Sequence, residues 1–252
     1  MEQNTSGFTG PQDFTKLTLS EIVTQNFKTA AVFEKYNLDF CCGGNKPVSK
    51  ACEEKGLDSA VLIEELESLK EKNTDNERYN EWSADFLIDY IVNNHHAYIT
   101  RMTPILAAHT QKIAAVHGKN HPELIPVAAG FERVYKDLKH HMMKEEQILF
   151  PFVKQLVNAR RNGKKSEAPY FGSVKNPIRM MEAEHQAAGD ELYEIRNLTN
   201  NYLVPEDACN TYSVTMQELR EFEEDLHKHV YLENYILFPK SVELEQELLR
   251  DN

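Results

Sequence analysis

Residues 141–151 read HMMKEEQILFP, and residues 229–239 read HVYLENYILFP. Both stretches place a glutamate four residues after a histidine, and both end in Ile-Leu-Phe-Pro at the same offsets. Four residues are about one turn of an α-helix, so the imidazole and the carboxylate of each pair share one helix face. The repeat therefore predicts two similar helices that each present one His and one Glu to the same side.

The residues around these pairs recur at the 3-4 spacing of a buried helix face. A third stretch, EAEHQAAG at residues 182–189, shows the same spacing without the glutamate. The three histidines and two glutamates are therefore predicted to face a helical core. In chain order, the three stripes are Phe131, Val134, Leu138, His141, Glu145, Ile148 and Phe152; Ile178, Met181, His185, Ala188, Leu192 and Ile195; and Leu219, Phe222, Leu226, His229, Glu233 and Ile236.

The wider pattern predicts an all-α chain with a four-helix bundle over residues 78–252, because no strand-like alternation competes with the helical one. A small helical region is expected over residues 17–77, after a flexible arm over 1–16, and the polar stretch NTDNERYNEWS (73–83) suggests a linker with a boundary near 78. The predicted bundle helices cover about 83–116 (kinked at Pro104), 123–161, 177–202 and 206–238. The predicted N-terminal helices cover 18–37, 49–55 and 58–72.

The composition of the chain disfavours two classes of partner, nucleic acids and membranes. The chain has 252 residues and a net charge of −12, which disfavours nucleic acid because such partners need a basic surface. No run of eighteen apolar residues and no basic, apolar signal-like N-terminus occurs, so we expect no membrane association and a cytoplasmic location. The cysteines form no C-x-x-C pair, so their spacing fits no zinc motif.

Polar residues on the buried stripes need compensation, because a buried carboxylate costs several kcal/mol unless it is paired or bound to a metal. A single histidine such as His185 could be an ordinary core residue, and one His-x-x-x-Glu pair could be solvated. Two such pairs on inward stripes favour a metal pair, and imidazole with carboxylate suits iron. In the first bundle helix, the more apolar stripe (Ile88, Ile91, Tyr98, Met102, Ile105) favours His95 over His96 as the fourth imidazole.

These motifs resemble the iron–sulfur cluster repair di-iron family (RIC, YtfE/ScdA type), and KYNLDFCCGG at residues 35–44 resembles its short ScdA-type N-terminal domain. The resemblance spans about residues 17–240 and implies a hemerythrin-like bundle holding two non-haem iron ions with an oxo or hydroxo bridge. It departs from the oxygen-carrying hemerythrins, which have an additional histidine. It implies the metal ligands His96, His141, Glu145, His185, His229 and Glu233.

Cys41 and Cys42 lie between a helix and two glycines. A disulfide between adjacent cysteines would be strained, so we expect two free thiols. They could be two small residues in a tight turn. The resemblance instead favours a functional pair, since thiolates bind iron, react with nitric oxide and exchange disulfides. Cys52 and Cys209 are interpreted as ordinary buried residues.

The resemblance implies repair of iron–sulfur clusters damaged by nitrosative or oxidative stress, with iron donated from the di-iron centre. Its partners would be damaged iron–sulfur proteins or scaffold proteins, with nitric oxide or O₂ as small ligands, and a homodimer is possible. Reduction of nitric oxide to nitrous oxide is an alternative, so enzymatic activity is left open. A hemerythrin-like sensor of O₂ or nitric oxide is less favoured, since a sensor usually carries an output domain.

Overall fold

The structure is a computed structural model, and it describes residues 13–69 and 79–249. Every named element in these two ranges is helical, which confirms the predicted all-α fold. Four long rods form the predicted bundle, and the second rod packs against both the first and the third. The rods span residues 84–117, 124–161, 175–198 and 210–249.

The described part of the N-terminal region contains four short α-helices, where three helices were predicted. The predicted helix over 18–37 is broken at Asn26, whose backbone is extended (φ −151°) and whose side chain accepts the N–H of Lys28 at 3.1 Å. The first helix begins at a capping box between Thr18 and Glu21. The helices are α1 (Leu19–Gln25), α2 (Ala30–Lys35), α3 (Val48–Lys55) and α4 (Ser59–Ser68).

Most of the predicted arm (residues 1–12) lies outside the described residues, and so does the predicted boundary near residue 78. Phe14, in the described part of the arm, is 1% exposed, so packing already begins there. The end of the predicted linker is a 3-10 turn at Tyr79–Glu81, in which the Tyr79 and Trp82 rings lie 4.8 Å apart. The domain limits 17–77 and 78–252 stay predictions.

Three of the four rods contain a π-helical turn at the level of the repeated motifs. The turns are Val92–His96, Glu145–Leu149 and Glu233–Leu237. They join the α-helical segments α5 (Ala84–Ile91) to α6 (Ala97–His117), α7 (Leu124–Lys144) to α8 (Phe150–Arg161), and α10 (Asn210–Leu232) to α11 (Phe238–Leu249). The remaining rod is the uninterrupted helix α9 (Lys175–Leu198).

A π turn adds one residue to the helix, so the buried stripe moves by one position along the sequence. In the first rod, Ile88 and Ile91 are buried before the turn, but Ile99 and Leu106 are buried after it and Ile105 is exposed. The second rod shows the same shift, because Leu149 is buried where the 3-4 pattern predicts Ile148. A constant helical period was therefore the wrong assumption at these turns.

The prolines at 104, 151 and 239 lie within rods that continue past them. Helix α6 continues through Pro104, where the sequence predicts a kink, and a π turn precedes this helix. Pro151 and Pro239 are each the second residue of the α-helix that follows a π turn.

The ends of the last two rods also differ from the prediction. Helix α9 ends at Leu198 rather than 202, since Asn200, Asn201 and Tyr202 adopt left-handed backbone angles with φ between 48° and 61°. Helix α10 begins at Asn210 instead of residue 206, and its rod extends to Leu249 instead of ending at 238.

The N-terminal helices pack on the last rod through aromatic side chains. The Phe40 ring is 2% exposed and lies 6.0 Å from the His227 ring and 6.1 Å from the Tyr231 ring. The Tyr231 hydroxyl also lies 2.6 Å from the Thr24 hydroxyl. One continuous hydrophobic core therefore includes both the N-terminal helices and the bundle.

Replacing Phe40 with alanine should lower the free energy of unfolding by about 3–5 kcal/mol, because it leaves a cavity between the two regions. Urea unfolding of the full chain measures the change. Tyr170→Ala is the control, since this ring is 87% exposed and its loss should cost less than about 0.5 kcal/mol. Equal effects of the two substitutions would show that the N-terminal helices do not pack stably on the bundle.

Candidate metal centre

Six side chains from all four rods meet in the interior of the bundle, next to the π turns. Two overlapping groups have ligand atoms within 4.8 Å of one another, and Glu145 and Glu233 belong to both. Each of the six residues is at most 2% exposed. The first group adds His96 and His229 to the two glutamates, and the second adds His141 and His185.

The distances place one carboxylate at each side of the cluster. The Glu145 carboxylate lies 3.4 Å from His96 Nε2 and 3.3 Å from His141 Nε2. The Glu233 carboxylate lies 3.1 Å from both His185 Nε2 and His229 Nε2, and 3.9 Å from His96 Nε2. Two cations in this cluster would each have two imidazoles and a share of both carboxylates.

His96, rather than His95, faces the cluster. His95 is also buried, but its Nδ1 lies 2.9 Å from Asp225 Oδ1, and its ring stacks on the outer side of His229 at 5.9 Å. The π turn at Val92–His96 explains the choice, because the added residue brings His96 onto the stripe that continues as Ile99 and Leu106. Periodicity favoured His95 because it cannot detect such a turn.

Three of the four imidazoles are oriented by a partner at Nδ1, the ring atom away from the cluster. His96 Nδ1 lies 2.7 Å from Glu146 Oε1, His141 Nδ1 lies 2.9 Å from Glu184 Oε2, and His185 Nδ1 lies 2.9 Å from Asn234 Oδ1. Each partner oxygen accepts an N–H, so Nδ1 carries the proton and Nε2 presents a lone pair to the cluster. Sequence reasoning missed these partners, although Glu146, Glu184 and Asn234 each adjoin a predicted ligand.

The polar atoms inside the cluster fit cations better than they fit each other. His141 Nε2 and His185 Nε2 lie 3.0 Å apart, so two neutral rings would direct their lone pairs at one another. Both oxygens of Glu145 and of Glu233 are buried without a hydrogen-bond partner among the described residues. Buried polar atoms without partners are costly, and a pair of metal ions would satisfy all of them.

Without a cation, protons on the imidazoles must compensate the carboxylates. Burial opposes this, but the neighbouring carboxylates of Glu145 and Glu233 raise the pKa of His96 to about 10. Burial likewise opposes protonation of His141, whose pKa is raised to about 10 by the charge of Glu145. Burial raises the pKa of Glu233, but the surrounding imidazoles of His229, His185 and His96 outweigh it and hold that pKa well below its usual range. Two imidazolium ions then balance two carboxylates.

The Cys41–Cys42 segment, residues 39–44, lies against the bundle close to the cluster. Its thiols are free, with the two sulfur atoms 3.9 Å apart. The Asp39 carboxylate accepts the backbone N–H groups of Cys41, Cys42 and Gly43 at 2.8–3.1 Å, which fixes the turn. Gly44 is required sterically, since a Cβ there would lie 2.1 Å from the Phe40 carbonyl oxygen. Asp39, Cys41 and Cys42 are themselves close enough to hold a metal ion.

The other two cysteines differ from one another. Cys52 is buried, as expected. Cys209 was predicted to be buried but is exposed, because it is the N-cap residue of α10 rather than part of a helix face. The backbone N–H of Tyr212 and a hydrogen bond with His117 lower the pKa of Cys209 to about 7.

Comparisons with known proteins agree with this architecture. Residues 15–70 match ScdA_N, a domain of unknown function (DUF542), and residues 87–241 match the hemerythrin HHE cation binding domain. The chain is 34% identical over 229 residues to the probable iron-sulfur cluster repair protein of Haemophilus influenzae, covering 90% of this chain and 97% of that protein. It is 31% identical over 230 residues to the iron-sulfur cluster repair protein YtfE of Yersinia pestis (strain Pestoides F), covering 91% and 98%.

The fold and the buried His/Glu cluster define a hemerythrin-type cation-binding bundle with a site for two metal ions. The chain belongs to the family of iron–sulfur cluster repair proteins that join an ScdA-type N-terminal domain to this bundle, as its motifs suggested. Among the described helices, none is both long and apolar enough to cross a bilayer.

Filling the centre should release about two protons per chain at pH 7, because His96 and His141 have pKa values of about 10 and must lose these protons to bind a cation. Affinity should therefore rise with pH up to about pH 10. Calorimetric titration with ferrous ion in buffers of different ionisation enthalpy measures the protons released. Binding at pH 7 without proton release would contradict the proposed protonation of the empty cluster.

Proposed function

We propose that this chain is a non-haem di-iron protein that restores iron–sulfur clusters damaged by nitrosative or oxidative stress, by donating iron from the His/Glu cluster. The observation that carries the proposal is the pair of overlapping, fully buried groups that share Glu145 and Glu233. Two relatives that are named iron-sulfur cluster repair proteins support the same function.

The donor set supports iron as the metal. Four imidazoles and two carboxylates contain no thiolate, and such ligands suit iron rather than the thiolate-rich sites of structural zinc. Bound there, a pair of iron ions would supply redox chemistry and coordination positions that small ligands can exchange. The oxo or hydroxo bridge implied by the family resemblance is part of this proposal.

The protonation of the cluster supports release of the metal. When an ion leaves, Glu145 and Glu233 would remain as buried charges, which is normally very costly. His96 and His141 have pKa values of about 10, so both rings take up protons at neutral pH and compensate the carboxylates. Protonation of the two rings would therefore stabilise the emptied state, and this supports a site that can give up its metal.

We also propose that Cys41 and Cys42 take part in transferring iron or in reacting with nitric oxide. Both line a cavity of about 180 Å³ between the N-terminal helices and the bundle, together with Asp39, Glu223 and His227. A hydrogen bond with Cys42 raises the pKa of Cys41 well above its usual value, which keeps this buried thiol protonated. Cys42 is the more exposed of the two, and we propose that it meets the incoming reactant.

The clients in this proposal are damaged iron–sulfur proteins or scaffold proteins, with nitric oxide or O₂ as small ligands. A cytoplasmic location and a homodimer remain predictions from the sequence. Nitric oxide reduction and gas sensing are the alternative functions. Stoichiometry separates a donor from a reductase, because a donor gives up at most its own iron once, whereas a reductase forms nitrous oxide over many turnovers.

Glu145→Leu should remove most of the bound iron, because His96 and His141 lose the carboxylate that lies between them. We expect wild type to hold about two irons per chain, and Glu145→Leu to lose the labile fraction and the ability to reactivate a nitric-oxide-treated iron–sulfur enzyme. Metal analysis and the recovered activity of the client provide the readouts. Nitrous oxide is measured in parallel.

Glu132→Leu is the matched control, since it makes the same change on the same helix at a residue that pairs with Lys136 outside the cluster. It should keep both iron and repair. Unchanged iron content in Glu145→Leu, or a wild-type protein that contains zinc alone, would contradict the proposed centre.

Replacing Cys41 and Cys42 together with serine should leave the iron content near that of wild type, since neither cysteine belongs to the His/Glu groups. Repair should fall by about tenfold or more, as for loss of a group that acts in the reaction. Cys209→Ser, which alters the exposed thiol, is the control and should repair normally. Full repair by the double serine variant would show that the pair has only a structural role.

A further inference from the structure

The side chain of Asn234 contacts both the metal cluster and the N-terminal region. Its Oδ1 lies 2.9 Å from His185 Nδ1, and its Nδ2 donates to the Cys41 carbonyl oxygen at 3.1 Å. Asn234 directly follows the shared ligand Glu233 and lies in the same π turn. One side chain thus connects a cluster imidazole with the backbone of the Cys41–Cys42 segment.

The Cys41 carbonyl fixes the orientation of the amide. A carbonyl oxygen only accepts hydrogen bonds, so the NH₂ end of Asn234 must face Cys41 and its oxygen must face His185. His185 then carries its proton on Nδ1, and its Nε2 lone pair faces the Glu233 carboxylate at 3.1 Å. The position of the Cys41 backbone therefore determines which nitrogen of His185 is available to a metal.

The equivalent residue in the other repeat shows why an amide is needed here. Glu146 follows Glu145 as Asn234 follows Glu233, and Glu146 orients His96 at 2.7 Å. Its side chain is 44% exposed, and a carboxylate, which only accepts, is sufficient there. At position 234 a carboxylate would present an oxygen to the Cys41 carbonyl, whereas an amide satisfies both neighbours.

The Cys41–Cys42 segment can transmit a displacement because it is held at both ends. The Asp39 carboxylate binds three of its backbone N–H groups, and Gly44 allows close contact with Tyr235. On the bundle side, Cys42 Sγ lies against Gly189 of α9, one turn from His185 on the same helix. A chemical change at Cys42 therefore acts on a segment that cannot move without also moving the Cys41 carbonyl.

We propose that Asn234 is a positioning residue that couples the Cys41–Cys42 segment to the cluster imidazole of His185. The coupling rests on the proposed metal centre and adds a route by which the two sites affect each other. It is reciprocal by thermodynamic necessity: a metal that fixes His185 also holds Asn234 and the Cys41 carbonyl, and a displaced segment loosens His185. Iron in the cluster should therefore protect Cys42 from chemical modification.

The test compares alkylation of Cys42 by iodoacetamide in the full chain, with and without two equivalents of ferrous ion under anaerobic conditions. All proteins carry Cys209→Ser, which removes the exposed thiol, and mass spectrometry follows the peptide that contains Cys42. The central variant is Asn234→Asp, which keeps an acceptor for His185 but replaces the donor to Cys41. Asn176→Asp is the matched control, because it makes the same change on α9 and removes a side-chain donor to the Phe171 carbonyl oxygen, away from the segment and the cluster.

In wild type, iron should slow the alkylation of Cys42 by about fivefold or more, the lower end of typical coupling between two sites. Asn176→Asp should keep this ratio, and Asn234→Asp should reduce it to near one. Equal protection in wild type and Asn234→Asp would overturn the proposal, because iron would then act on Cys42 without Asn234. No protection in wild type that binds two irons would also overturn it.

The alkylation rate of the iron-free proteins is a second readout, which does not require a variant to bind iron. In the iron-free proteins, Asn234→Asp should be alkylated faster at Cys42 than wild type and Asn176→Asp, since only this variant loses the bond to the Cys41 carbonyl. Equal iron-free rates in all three proteins would overturn the contact itself. A wild type that binds no iron would instead refute the proposed function, so the two failures are distinguishable.

Discussion

The arrangement of the cluster depends on the negative charges of two carboxylates, Glu145 and Glu233. Both side chains lie in the core with no exposed surface, and their oxygens have no hydrogen-bond partner among the described residues. Neither could remain ionised there without a nearby positive charge. Four imidazoles surround them, and three of these are held with their lone pairs directed inward. The cluster can therefore exchange two metal ions for protons, and this exchange connects its geometry with the proposed donation of iron.

The π turns are the local structures that make the cluster possible. Two of them begin at the shared glutamates and one ends at His96, so each changes the helix register where a ligand must leave the regular apolar stripe. Such turns cost stability in an α-helix and are often found at functional sites. The residue after each glutamate also acquires a role there, because Glu146 and Asn234 each orient an imidazole of another rod.

The N-terminal region is part of the same structure as the bundle. Phe40 packs on the last rod, and the segment that follows it places the Cys41 carbonyl on Asn234. One side chain therefore connects the backbone of the cysteine segment with the His/Glu cluster, although the sequence separates them by many residues. The proposed coupling through Asn234 would give a physical reason for one chain to contain both domains.

The sequence by itself determined the helical class, the bundle and most of the cluster, because His141, Glu145, His185, His229 and Glu233 follow regular 3-4 stripes that local periodicity reveals. Position 96 came from the family resemblance, since periodicity favoured His95. Only the tertiary structure decided the π turns, the extension of the last rod beyond residue 238, the exposure of Cys209 and the partners of the imidazoles. These features depend on contacts between residues that are distant in sequence, such as Cys41 and Asn234. Such contacts produce no periodic pattern in the sequence.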